Sequence, residues 1–135
     1  MVKSDVAAAV LIEKIVRATY PSREPGAIQP LQWSILRFLA RVPSEQRTAH
    51  MVAKFLGITA APTSRAVQTL VKRGFVEQVK SEHDARSFLL VLQPAALQAL
   101  KDDPLMRLAE CVSKLPEDEK GVFKKSLECI VVNVG

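Results

Sequence analysis

Apolar positions along this chain change their spacing several times, and each change marks an element. In residues 4–20, Val6, Ala9, Val10, Leu11, Ile12, Ile15 and Val16 cover most of a helical wheel, while Glu13, Lys14 and Arg17 hold one narrow side. That arc is too broad for a helix packing on a single neighbour. Tyr20–Gly26, with two prolines and a glycine, reads as a loop. Pro30 opens a second helix to Arg41, with Leu31, Ile35, Phe38, Leu39 and Val42 at core spacing. Pro43–Arg47 reads as a turn that could add a very short strand to a sheet. A short helix over Ala49–Leu56 follows, ending in Gly57-Ile58-Thr59, a tight turn with an N-cap candidate. In the next helix, Pro62 falls in the first turn, where a missing N–H costs little, and Val67, Leu70 and Val71 form a core stripe. Two apolar runs, Phe75–Val79 and Phe88–Leu92, flank a polar tip over Lys80–Arg86 and predict a hairpin. A brief helix, Pro94–Lys101, is interrupted by Asp102-Asp103-Pro104, and Asp103 can cap a new helix from Pro104. Leu105, Leu108, Ala109, Val112 and Leu115 line that helix. Pro116 starts the last one, where Glu117–Glu119 suit the positive dipole end and Phe123, Leu127, Ile130, Val131 and Val134 form an apolar face.

The helix within residues 57–76 carries the most chemistry. Ser64, Gln68 and Lys72 repeat every four residues opposite the core stripe, with Ala61 and Arg65 beside them. Small residues permit close approach to a duplex, Arg reaches guanine O6 and N7, and Gln pairs with adenine N6 and N7. Any surface helix has a polar face, so the order of elements matters more than the stripe. A short helix, a turn, this helix and then a basic-tipped hairpin together describe a winged helix.

From Gly57 to about Leu100 the residues resemble the MarR-type winged-helix transcriptional regulators. The resemblance rests on Ser64-Arg65, on the exit Leu70…Arg73-Gly74-Phe75-Val76, and on Asp84-Ala85-Arg86, similar to the family's Asp-x-Arg wing signature. Upstream, Ile28-Gln29-Pro30-Leu31-Gln32-Trp33 looks like the family's L-T-P-x-Q-W helix start. The chain departs from the pattern at Ala85, at Ala60-Ala61 and after the wing, where a usual glycine is missing. The resemblance implies one domain over 1–135, mainly α with a small β-hairpin wing. Residues 29–100 would form the winged helix-turn-helix DNA-binding lobe, and 1–22 and 104–135 dimerisation helices. Ala61, Thr63, Ser64, Arg65 and Gln68 would face the major groove. Arg86 would enter the minor groove, braced by Asp84, with Arg47, Lys72 and Lys80 on phosphates. It also implies an effector pocket bordered by the helix carrying Trp33, Ile35 and Phe38, which serve equally well as core.

Charge placement agrees with this reading. The net charge is +5, and residues 47–86 hold seven Lys/Arg against three Asp/Glu, leaving twelve against eleven elsewhere. A basic winged helix in a neutral remainder is the footprint of phosphate contact rather than general stickiness. Cys111 and Cys129 have neither a disulfide framework's number nor metal spacing, and read as small buried hydrophobes. His50 and His83 accompany no catalytic or metal motif, so neither an enzyme nor a metal or cofactor protein is expected. Val6–Ile12 is too short for a secretory segment and no run is long enough to span a bilayer, so a cytoplasmic protein without membrane contact is expected. The terminal helices carry more apolar surface than one small lobe can bury, which fits either first-on-last packing within a chain or a homodimer. The resulting expectation is a homodimeric regulator of double-stranded DNA, a repressor on a pseudo-palindromic operator, released by a small-molecule effector. The rival is a winged-helix interaction module that has lost DNA affinity.

Overall fold

A computed structural model describes residues 1–20, 24–84 and 86–135. Of the segments read above, Pro21–Arg23 of the first loop and Ala85 of the wing signature lie outside the described residues. The elements are α1 (Lys3–Thr19), α2 (Pro30–Arg41), a 3-10 turn (Ser44–Gln46), α3 (Ala49–Leu56), α4 (Ala60–Lys72), β1 (Val76–Lys80), β2 (Phe88–Leu92), α5 (Pro94–Leu100), α6 (Pro104–Ser113) and α7 (Glu117–Val134). The chain divides into two compact units, Gly26–Asp102 and Met1–Pro25 with Asp103–Gly135.

The Gly26–Asp102 unit has a closed core. Ile35, Leu36, Phe38 and Leu39 of α2 meet Val52 of α3, Ala66, Val67 and Leu70 of α4, Val76, Leu90 and Ala96. α2 begins on Pro30, and the Gln32 side chain reaches back to accept from the Gln29 amide at 3.0 Å. That is one half of a capping box, and it gives the Gln29-Pro30-Leu31-Gln32 segment its physical purpose. Ile35 and Phe38 are core residues, and Trp33 is buried as well.

Two glycines set the helix exits. Gly57 (φ +68°) ends α3 and Gly74 (φ +78°) follows α4, both in the left-handed region that disfavours a Cβ. The Ile58 amide donates to the Ala53 carbonyl at 3.1 Å, and the Phe75 amide to Leu70 at 3.0 Å, closing the last turn of each helix. Thr48 caps α3 with its hydroxyl accepting from the Met51 amide. Thr59 occupies the N-cap of α4, but its side chain makes no cap bond.

β1 and β2 pair antiparallel, from Val76 opposite Leu92 to Lys80 opposite Phe88. The Gln93 amide donates to Phe75 at 2.9 Å and closes the base of the hairpin. Pro43–Arg47 adds no strand: it forms the 3-10 turn and gives β2 a single bond, from the Leu90 amide to the Arg47 carbonyl at 2.7 Å. That bond ties the wing to the entry of α3.

The other unit is built differently. The break after α5 is real, and the Asp103 carboxylate caps α6 by accepting from the Leu105 amide at 2.9 Å. Pro116 is the cap before α7 rather than its first residue. α1 approaches α6, yet among the described residues α1, α6 and α7 contain no buried residue. Val6, Leu11 and Val16 of α1, and Ile130, Val131 and Val134 of α7, are exposed. Close first-on-last packing within the chain is therefore not how these faces are covered. The same openness corrects the reading of the cysteines: Cys111 and Cys129 are both exposed in the chain, because their helices enclose no core. Ala109, counted on the inner stripe of α6, is exposed for the same reason. No helix among the described residues is long and apolar enough to cross a membrane.

Candidate nucleic-acid interface

The two sides of α4 are sharply separated. Thr63, Ala66, Val67 and Leu70 are buried, whereas Ala61, Ser64, Arg65, Gln68 and Lys72 are exposed. At 3.6 residues per turn the second group centres on the side opposite the first. Burial on one side follows from the spacing of the first group, in which Ala66 and Val67 stand three and four residues after Thr63, and Leu70 seven. The outer face therefore offers an alanine, a hydroxyl, a guanidinium, a carboxamide and an ammonium along about three turns of helix, with no large apolar group among them.

Thr63 does not belong to that face. It is 1% exposed, and its hydroxyl donates to the Thr59 carbonyl at 2.9 Å. Assigning it to the major groove fails because it stands four residues before Val67 and seven before Leu70, on the core stripe itself. Val71, read as core, is only half-buried, and Thr63 and Ala66 complete the stripe in its place. Thr69 was overlooked and is exposed next to Arg65, whose carbonyl its hydroxyl engages at 3.0 Å. The signal was its position one residue after Gln68 on the wheel's outer half.

The other cations differ in freedom. Lys72 and Lys80 are exposed. Arg47 is half-buried, and its Nε donates to the Val42 carbonyl at 3.0 Å, so much of the side chain braces the turn before α3. Its use as a simple phosphate arm is accordingly restricted to its terminal nitrogens. His50 and Lys54, one turn apart on α3, are both exposed and add an imidazole and an ammonium to the helix-turn-helix surface. Arg73, just past α4, sits 5.0 Å above the Phe75 ring and donates to the Gly26 carbonyl, holding the loop before α2.

At the wing tip the Arg86 side chain is 96% exposed. The Asp84 Oδ1 accepts from the Arg86 amide at 2.9 Å, and lies 3.9 Å from the Arg86 Nε. Its Oδ2 accepts from the Ser87 hydroxyl at 3.1 Å. The carboxylate thus holds the backbone beneath the arginine more closely than it holds the guanidinium. A shallow depression between the 3-10 turn and the wing is lined by Glu45, Lys80, Glu82 and His83 over Val79 and Leu89. Among the described residues no group of His, Cys, Asp and Glu is placed to hold a metal ion.

This arrangement has relatives. Residues 28–87 match the sequence profile of the MarR family. Solved structures share the fold across nearly the whole chain. One is the PcaV transcriptional regulator of Streptomyces coelicolor, in complex with its natural ligand: 19% identity, 95% of this chain and 92% of that one, TM-score 0.72. Another is a MarR transcriptional regulator of Methanosarcina mazei Go1, with 23% identity, 97% and 96% coverage and TM-score 0.71. A third is FabT of Streptococcus pneumoniae in complex with DNA, with 18% identity, 97% and 94% coverage and TM-score 0.71. No curated protein matches by sequence. From α2 through the wing, residues 28–87 thus match the MarR family, and the chain shares its winged-helix fold with solved transcriptional regulators of that type.

Proposed function

We propose that the protein is a homodimeric repressor that reads an inverted-repeat operator, with α4 in the major groove and the wing in the adjacent minor groove. The observation that carries this reading is the clean division of α4 into a buried side and an outer side of small, polar and basic residues. Arg65 and Gln68 provide the bidentate chemistry suited to guanine and adenine edges, and Ser64 adapts to either. Ala61 lets the backbone approach. Arg86 extends from the wing towards the minor groove, where the degenerate hydrogen-bond pattern and the groove's width and potential are read. Lys72 and Lys80, with the free end of Arg47, neutralise phosphates.

The second copy of the chain is called for by α1 and α7. Their exposed apolar residues run around most of α1 and along the C-terminal half of α7, more than scattered surface hydrophobics explain. A two-fold dimer buries the same faces on both chains and presents two recognition helices to two half-sites about one helical turn apart. Occupying a promoter in this way excludes polymerase, and an effector that changes the spacing of the two helices releases the operator. PcaV with its natural ligand supports the effector, and FabT with DNA supports the duplex.

Selection of duplex DNA from a random pool at stated salt, followed by sedimentation of the free protein, tests the proposal. A dimer that enriches an inverted repeat is the expected result. A monomer, or a dimer showing equal affinity for every sequence, would make the winged helix an interaction module instead.

A further inference from the structure

Ser87 spends all of its polar groups inside the wing tip. Its hydroxyl donates to Asp84 Oδ2 at 3.1 Å, its amide to the Asp84 carbonyl at 3.0 Å, and its carbonyl accepts from the Ser81 amide at 3.0 Å. Ser81 in turn accepts from the His83 amide through its hydroxyl at 3.2 Å. With only the Arg86 amide on Oδ1, the Asp84 carboxylate would be free to rotate. The second bond from Ser87 fixes both oxygens and so fixes the turn from which Arg86 projects. Meanwhile the arginine side chain itself stays 96% exposed, 3.9 Å from its nearest carboxylate oxygen. The guanidinium, only loosely paired with Asp84, is open to another anion while the backbone beneath it is held.

We infer that Ser87 is a positioning residue for Arg86: by clamping Asp84 it presets the wing tip so that the arginine meets the duplex without first ordering the loop. This rests on the proposal that Arg86 contacts DNA. Ordering a loop on binding lowers affinity, and preorganisation recovers that loss. Losing one hydrogen bond of this kind corresponds to about a fivefold change in affinity. Because Ser87 hands nothing to the phosphates in this scheme, its loss leaves the salt dependence alone.

A double-mutant cycle on the full chain tests this, using a duplex selected from the random pool and anisotropy at two salt concentrations. Ser87→Ala is expected to weaken binding about fivefold with an unchanged salt slope, and Ser87→Thr to restore it. In an Arg86→Ala background, Ser87→Ala should cost nothing further. Equal loss in both backgrounds, or a reduced salt slope, would overturn the inference and make Ser87 a direct contact or a merely structural residue. An effect of Arg86→Ala without any effect of Ser87→Ala would overturn it too. If Arg86→Ala itself is harmless, the wing's role in the proposed function is what fails. Nitrogen-15 relaxation of the free protein separates the two cases: Ser87→Ala must lower the order parameter of the Arg86 amide, and an unchanged value refutes the clamp whatever the DNA result.

Discussion

Leu39 in α2 and Val132 in α7 are both aliphatic residues of regular helices, yet Leu39 is 0% exposed and Val132 is 79% exposed. The difference separates the two units of the chain. Between Gly26 and Asp102, four helices and a hairpin share one closed core, with helix ends sealed by Gly57 and Gly74 and the wing tied to Arg47. In Met1–Pro25 and Asp103–Gly135, three helices are equally regular but enclose no core of their own. Helical order therefore says little about whether a face is satisfied. A helix can be well formed by its local bonds and still owe its stability to packing that one chain does not supply. The lobe encloses a core of its own, while the terminal helices leave apolar faces exposed, the faces that the proposed dimer would bury.

The contrast is open to attack at several points. The largest effect should come from Leu127→Asp or Ile130→Asp, which place an unpaired charge in the proposed interface at a cost of about 3–5 kcal/mol. Sedimentation should then show a monomer at micromolar concentration, with the lobe still folded by near-ultraviolet circular dichroism. A dimer of unchanged stability would mean that α7 is not the seam. In the lobe, Leu39→Ala should cost about 2–5 kcal/mol through lost burial and a residual cavity. Denaturant unfolding reads that loss, and it should be independent of protein concentration only to the extent that the lobe unfolds by itself.

Next in size is Arg86→Ala, expected to lower operator affinity by about 1–3 kcal/mol, with Arg65→Ala and Gln68→Ala relaxing preference at one or two base pairs instead of abolishing binding. Competition with random DNA distinguishes these outcomes. Equal losses on both DNAs for Arg65→Ala would confine that residue to the phosphates. Thr63→Ala should behave as a core change: about 1 kcal/mol of stability through its lost bond to Thr59, and no shift in base preference. A changed preference would mean that α4 presents a different face to DNA. Smallest is Lys72→Ala, which should weaken all sequences alike and reduce the salt slope by about one.

Much of the lobe was legible because its signals are local. Proline at the start of α2, glycine after α3 and α4, and period-three-and-four apolar spacing in α4 each act within a few residues. The hairpin followed from two apolar runs around a polar tip, although the Leu90 amide's bond to the Arg47 carbonyl did not, since nothing in Pro43–Arg47 distinguishes a lone bond from a strand. Thr63 was misplaced because a hydroxyl suggests a polar surface, whereas its wheel position puts it on the core stripe with its hydroxyl absorbed by the preceding turn. The cysteines were misread for the converse reason: apolar neighbours in sequence suggested burial, but neighbours along a helix do not bury one another.

By itself, the sequence determined the order of the helices and their ends to within a residue, the basic character of residues 47–86 and most of the outer face of α4, because caps, periodicity and charge are properties of short segments. Tertiary structure decided which half-polar residues are spent inside. It turned Thr63 inward, bound Arg47 to Val42 and locked Ser87 onto Asp84, leaving the Arg86 side chain exposed. The partners stand only three to five residues away, but whether a polar side chain turns to such a neighbour or outward depends on the core and the turn around it, and residue type alone does not state that.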